Sequence, residues 1–297
     1  KEKVVTVSKM FSEGLDFDLV YFPLKHLGYK TGVMATGELY SQLCEARVLS
    51  IVIGVSAKLD YQQISLIWSG ITEAAGEFGY KKVSLDLLPS RNGLSISVYA
   101  TGAVRTEHIA ALKAPSSKDL LCVTGNLGAA YIGLQALENE KTKFDGKTQP
   151  DLEKYKRFVS AYLKPELKAH FPTLLREAGY VPSCVQFVER GLADAMLQIA
   201  SDTDLGVKVY ADRIPFAGDS FDVAEGLGAD AMTAALNGGD DARLLFTIPL
   251  ASYEDFRRDF QEFEIIGHLA LPEAGTVIVL PDGVELPVKA QGWNREE

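Results

Sequence analysis

The sequence predicts a two-domain α/β (α+β) protein. Segments with the helical i, i+3, i+4 apolar repeat alternate with short, continuous apolar runs of strand character. A small, polar, proline-containing stretch, Lys113-Ala114-Pro115-Ser116-Ser117-Lys118, interrupts that alternation and marks a boundary between residues 1–112 and 113–297. At 297 residues the chain is long enough to build two hydrophobic cores.

In the first domain, Val4 to Val7 is β-rich and reads as a strand. Residues 18–29 carry Pro23 and Gly28 and read as a turn leading into a helix over 31–46. Residues 48–55 (Val-Leu-Ser-Ile-Val-Ile-Gly-Val) form a continuous apolar strand. Residues 61–78 place Ile64, Ile67, Trp68, Ile71, Ala74 and Ala75 on one helical face; this stripe is core rather than a cofactor box. Strands over 82–86 and 94–102 flank a loop at Pro89-Ser90-Arg91-Asn92-Gly93.

In the second domain a strand over 119–124 runs into Gly125-Asn126-Leu127-Gly128 and a helix over 129–138. Residues 140–154 read as a charged, solvated loop, and 164–180 as a helix opening near Pro165. Residues 187–199 read as helical around Gly191. A strand over 206–214, helix over 221–236, helix over 253–263 and strands over 265–270, 276–280 and 284–288 complete it.

Composition narrows the function classes. Hydrophobic residues make up 47% and charged residues 24%, the balance of a globular protein. The net charge of −10 argues against a basic nucleic-acid-binding surface, and no run of about 18 apolar residues predicts a membrane span. Cys44, Cys122 and Cys184 are odd in number and far apart, which predicts reduced thiols in a cytoplasm rather than disulfides or zinc. His26, His108, His170 and His268 are scattered, and His26 is read as structural.

The most informative stretch is Asn237-Gly238-Gly239-Asp240-Asp241-Ala242-Arg243-Leu244-Leu245-Phe246. Two glycines permit a tight turn, two carboxylates follow, and the apolar run to Pro249 reads as a buried strand. Asp240 and Asp241 are therefore either rigidly presented ligands or turn-stabilising residues. Gly125 and Asn126 sit in a strand-to-helix turn whose backbone N–H groups could hold an anion.

Four segments carry a resemblance. They are Glu13-Gly14-Leu15-Asp16-Phe17, residues 23–30 (Pro-Leu-Lys-His-Leu-Gly-Tyr-Lys), residues 123–128 (Val-Thr-Gly-Asn-Leu-Gly) and the 237–246 stretch, with Gln291-Gly292-Trp293-Asn294 at the end. In order and spacing they resemble the thiamine-monophosphate kinase family of the aminoimidazole-ribotide-synthase-like superfamily, over nearly the whole chain. The resemblance implies a homodimer in which the N-terminal sheets form a shared barrel beside a C-terminal α/β domain. It implies phosphorylation of thiamine monophosphate by ATP with Mg2+, and a possible small phosphorylated ligand. It places Gly125, Asn126, Gly238, Gly239, Asp240, Asp241 and Trp293 on the substrate and nucleotide side, with Trp293 stacking on an aromatic ring or packing on an apolar patch.

The catalytic expectation rests on carboxylates, because phosphoryl transfer is driven by positioning and by metal neutralisation of phosphate charge. Here the chain departs from the family pattern. The early Gly-Asp-Asp-Ala motif would lie before Lys1. Lys9 stands where a metal-binding carboxylate is expected, and Phe187 and Arg190 stand at two further aspartate positions. Glu38 keeps a carboxylate one methylene longer, and Asp86 survives between Ser84-Leu85 and Leu87-Leu88 without its glycines and hydroxyls. Asn126 replaces an aspartate, while Ala242 and Arg243 replace a tyrosine and an acid. A cation at about 4 Å repels a divalent ion by several kcal/mol even at an effective dielectric near 20. The expectation is a degenerate active site with weakened Mg2+ and ATP binding; the alternative is an active small-molecule kinase using Glu38, Asp86, Asp240 and Asp241. Lys9 and Arg190 neutralise Glu38, Asp86 and Glu189, contact phosphate directly, or are simply exposed to solvent.

Overall fold

The computed structural model describes residues 1–147 and 150–290. The chain divides into two compact units: unit 1 takes Lys1–Ala111, Leu137–Asp151 and Leu163–Leu174, and unit 2 takes Leu112–Ala136, Leu152–Tyr162 and the chain from Leu175 onward.

Unit 1 is built from β1 (Glu2–Ser12), α1 (Leu24–Ser41), β2 (Glu45–Ser56), α2 (Tyr61–Glu77), β3 (Lys82–Ser90), β4 (Ser95–Arg105) and the short α3 (Thr106–Ala110). The four strands form one sheet in the order β1-β4-β2-β3, parallel only between β2 and β3. Alternation along the strands separates two faces. Phe11, Leu49, Ile51, Ile53, Ile96, Val98 and Ala100 are buried on the inner face. Val4, Met10 and Tyr99 are exposed on the outer one. Helix α1 covers the inner face, with Leu39 so close to Gly102 that a Cβ there would lie 2.7 Å from Leu39 Cδ2.

Helix α1 differs from its expected span of 31–46. It begins at Leu24 directly after Pro23, and Gly28 lies inside it. Gly28 reads locally as a breaker, but its role is packing. A Cβ at Gly28 would fall 2.0 Å from the Ile67 carbonyl oxygen, and one at Gly70 would fall 1.9 Å from the Lys25 carbonyl oxygen. The two glycines let α1 and α2 cross backbone against backbone. Helix α2 starts where Asp60 caps it: the carboxylate accepts from Gln63 N–H at 2.8 Å, and the Gln63 side chain accepts from Asp60 N–H at 2.9 Å.

Beyond Ala111 the chain forms β5 (Leu120–Val123), α4 (Ala129–Lys143), α5 (Lys156–Leu163), α6 (Phe171–Glu177), β6 (Val185–Val188), α7 (Leu192–Thr203) and β7 (Gly206–Tyr210). It continues with α8 (Ser220–Gly226), α9 (Ala231–Asn237), β8 (Arg243–Ile248), α10 (Tyr253–Asp259), β9 (Glu264–Ala270), β10 (Thr276–Val279) and β11 (Glu285–Pro287). These strands form a mostly antiparallel seven-stranded sheet in the order β11-β10-β7-β9-β5-β8-β6. Leu121, Val123, Val207, Val209, Leu245 and Ile266 share one core with Leu192, Met196 and Ile199 of α7. Phe246, Phe256, Phe260 and Phe263 form an aromatic cluster with ring centroids 5.2–6.2 Å apart, extended by Tyr180.

Three expected helices of this part of the chain are corrected. The helix expected over 164–180 is shorter and starts later: α5 stops at Leu163, because Lys164 precedes Pro165 and that position disfavours helical backbone. Helix α6 starts only at Phe171, after His170 turns with φ 55°. The helical reading of 187–199 fails at its start. Val185 to Val188 is a strand paired with β8 (Phe187 opposite Leu244), and Gly191 at φ 100° separates it from α7. A Cβ at Gly191 would lie 2.3 Å from the Leu236 carbonyl oxygen, so the turn takes glycine for space as well as conformation. The expected loop at 140–154 begins later, since α4 runs on to Lys143. The helix over 221–236 is split by Gly228 (φ 72°) into α8 and α9, with Asp230 capping α9 through Thr233 N–H at 2.7 Å.

Candidate functional site

The 237–243 turn lies within unit 2, locked against the turn after β5. Gly239, Asp240 and Ala242 all adopt positive φ, at 78°, 64° and 54°. A Cβ at Gly239 would meet the Glu189 carbonyl oxygen at 2.7 Å, and Asp240 N–H donates to that same oxygen at 2.7 Å. A Cβ at Gly238 would meet the Ala234 carbonyl oxygen at 2.4 Å. The glycines are therefore required by close backbone approach.

Asp241 does not face outward. Its side chain is buried, and its carboxylate accepts from Gly128 N–H at 2.6 Å and Ala130 N–H at 3.1 Å. Those are first-turn donors of α4 that lack partners within the helix, so Asp241 acts as the α4 cap across a separation of 113 residues. Burial pushes its pKa up to about 6, against the opposing pull of the two backbone hydrogen bonds. The anion position offered by the Gly125–Gly128 turn is filled by the chain's own carboxylate. Arg243 completes the lock: its Nε donates to the Asn126 carbonyl oxygen at 3.3 Å, and a Cβ on Gly125 would meet its guanidinium carbon at 3.0 Å. Leu244 and Thr124 exchange two further hydrogen bonds at 3.0 and 3.1 Å.

In unit 1, Lys9 Nζ lies 3.4 Å from Glu38 Oε2, and the lysine side chain is only 12% exposed. Lys9 projects from the inner face of β1 toward α1, which carries Glu38. Asp86 is elsewhere. It is exposed on β3, with its carboxylate accepting from Leu87 N–H at 2.9 Å. Its register partners Val52, Ser97 and Met10 lie on the outer face, and β3 and β1 are opposite edges of the sheet. Glu38 and Asp86 thus occupy opposite sides of one sheet, and the structure does not bring them together. In unit 2, Phe187 is buried in β6 and Arg190 is exposed. Trp293 lies outside the described residues.

Magnesium needs several convergent oxygen ligands, and within unit 1 Glu38 and Asp86 do not converge. Glu38 is neutralised by an ammonium, Asp241 is consumed by backbone N–H groups, and Asp86 stands apart. Among the described residues no group of three or more His, Cys, Asp or Glu is placed to hold a metal ion. The three cysteines are free, with Cys44 and Cys122 buried, and burial raises all three thiol pKa values, Cys44 to about 11. No described helix is long and apolar enough to cross a membrane.

No family profile matches the sequence. A curated relative described as thiamine-monophosphate kinase, from Bacillus subtilis (strain 168), is 20% identical over 297 residues, covering 99% of this chain and 88% of its own length. The chain is similar over nearly its whole length to proteins described as thiamine-monophosphate kinases. The fold agrees: the crystal structure of thiamine-monophosphate kinase from Stenotrophomonas maltophilia K279a superposes with a TM-score of 0.80 at 21% identity, covering 97% of this chain and 87% of that one. A second structure, described as AaThiL complexed with AMPPCP and TMP, matches with a TM-score of 0.77 at 18% identity over 96% of this chain and 85% of that one. The mixed α/β fold anticipated from the motifs is therefore the fold of this chain.

Sequence reasoning found the turn but not its use. That Asp241 caps α4 has a sequence signal only in hindsight: α4 follows Gly125-Asn126-Leu127-Gly128 with no local Ser, Thr or Asp at its start, so its cap had to come from elsewhere.

Proposed function

We propose that this chain keeps the thiamine-monophosphate-kinase scaffold but not its magnesium-dependent phosphoryl transfer, acting in the cytoplasm by binding a small phosphorylated ligand or a partner. The observation that carries the reading is the Lys9–Glu38 ion pair at 3.4 Å. An ammonium already neutralises the Glu38 carboxylate that a divalent ion would need, and displacing it would break a largely buried ion pair. The outward placement of Asp86 and the capping role of Asp241 support the same conclusion.

The test is thermal stability with Mg-ATP on the full chain. At millimolar Mg-ATP no rise in melting temperature that depends on Asp86 is expected. A ligand at a hundred times its dissociation constant adds about 2.7 kcal/mol, which is readily detected. A clear rise in melting temperature that disappears in Asp86→Asn would establish the active-kinase alternative instead.

We further infer that the chain is a homodimer built through the outer face of the unit 1 sheet. The exposed Val4, Met10, Tyr99 and Leu88 support this, because a sheet face carrying so much apolar surface calls for a cover.

A further inference from the structure

Unit 2 holds a pocket that none of the family motifs touches. It encloses about 570 Å³, within the range of small-molecule sites. Its floor is formed by Leu120, where β5 begins, and by Ile265, Gly267 and His268 of β9. Lys118 stands just before β5, whereas Gly125 and Arg243 lie beyond its other end, roughly 13 Å away along four strand residues. The two places are therefore distinct.

Three observations indicate an occupant. The first is charge: Lys118, Arg213 and Arg257 converge on the pocket in a chain of net charge −10. Arg257 is held by the Phe263 carbonyl oxygen at 3.0 Å and faces Glu264 at 4.0 Å. Lys118 and Arg213 make no ion pair among the described residues, and Asp212 is the one other carboxylate lining the pocket there.

The second is exposed ring and apolar surface. Tyr210, Leu250 and Tyr253 are 37%, 49% and 42% exposed, and all three line this cavity. Tyr210 and His268 lie with ring centroids 5.8 Å apart and planes 31° apart, with the Tyr210 hydroxyl 3.5 Å from His268 Nδ1. Burial, with the nearby Lys208 ammonium, holds the His268 pKa below its ordinary value, so the ring presents a neutral face.

The third is backbone strain. Lys118 adopts φ 78°, uncommon for a residue with a Cβ, and its N–H donates to the Leu269 carbonyl oxygen at 2.7 Å. Pairing between β5 and β9 also slips by one residue at the floor: Leu121 faces Gly267 while Cys122 faces Ile265. Such bulges re-aim side chains and cluster beside functional sites.

We propose that this pocket binds a small aromatic phosphate, its ring lying against Tyr210, His268 and Tyr253 and its phosphate held by Lys118, Arg213 and Arg257. A phosphate dianion offers three acceptor oxygens to donors arriving from three separate elements, and arginine suits that geometry. A lone ring or a lone anion satisfies only half of the lining. The site stands apart from the proposed loss of magnesium chemistry and uses none of its residues.

Adenosine 5′-monophosphate is a suitable probe. The chain has four histidines, so imidazole proton signals in NMR report each ring, and the His268 signal is identified by its loss in His268→Gln. Titration without magnesium into the full chain is expected to move the His268 signal to saturation. Arg213→Ala, at an exposed position, is expected to weaken binding roughly tenfold, and Tyr253→Ala similarly, with the other histidine signals confirming an intact fold. Inorganic phosphate alone is expected to bind more weakly than the nucleotide. A His268 signal unmoved at millimolar nucleotide overturns the proposal, as does an affinity unchanged in both variants. Inorganic phosphate matching the nucleotide overturns the aromatic half of it.

Discussion

Asp241 shows how one side chain can serve as architecture where its motif suggests chemistry. Its carboxylate closes the N-terminus of α4, and burial raises its pKa from 3.8 to about 6. A folded-state pKa above the unfolded one means that the folded chain holds the proton more tightly. The stability from this group is therefore fully present below about pH 4 and is lost as pH rises through about 6. The span corresponds to about 3 kcal/mol. Asp241→Asn removes the titration, so the free-energy difference between wild type and variant, followed by denaturant unfolding from pH 4 to 7, should move against the wild type as pH rises. A difference that stays flat with pH rejects the buried-acid account. Lys9 is the opposite case. Pairing with a carboxylate is one of three roles its sequence leaves open, beside phosphate contact and simple exposure, and the side chain lies 3.4 Å from Glu38.

At the scale of elements, the crossing of α1 and α2 depends on two glycines that sequence patterning treats as interruptions. Backbone oxygens sit 2.0 and 1.9 Å from where side chains would begin at Gly28 and Gly70, and backbone cannot swing aside as a flexible side chain can. Gly28→Ala or Gly70→Ala should therefore cost about 3 kcal/mol or more, read as a lower denaturant midpoint. Gly76, in the same α2 helix, has nothing within 4 Å of its virtual Cβ. There alanine should stabilise by about 0.5–1 kcal/mol through helix propensity. Equal effects at Gly28 and Gly76 would remove the packing argument. The same contrast explains which elements were legible. Strand β2 and helix α2 follow a clean period over many residues and fall almost where patterning puts them. Strand β6 is four residues long beside a helix, and its extended form is imposed by pairing with β8, which lies over 50 residues further on.

Across the whole molecule, the two sheets present contrasting faces. The unit 1 sheet buries one face under its helices and leaves the other carrying Val4 and Met10 at 65% and 63% exposure. If that face is the dimer contact, light scattering on the purified chain at micromolar concentration should give twice the chain mass, and Met10→Glu should return it to monomer. A wild type that is monomeric under those conditions sinks the dimer. The mixed α/β character and the similarity to thiamine-monophosphate kinases follow from local periodicity and from motifs spread along the chain. Periodicity reports which face of an element is apolar, and that is a local property. It does not report which residue, a hundred positions away, closes a helix end or neutralises a carboxylate. Folding settled those points: Asp241 on α4, Lys9 on Glu38, Asp86 on the far side of the sheet, and the pocket beside β5 and β9. Each depends on pairing between segments distant in sequence, where burial and close backbone approach choose among roles that the same residue types fill equally well in solvent.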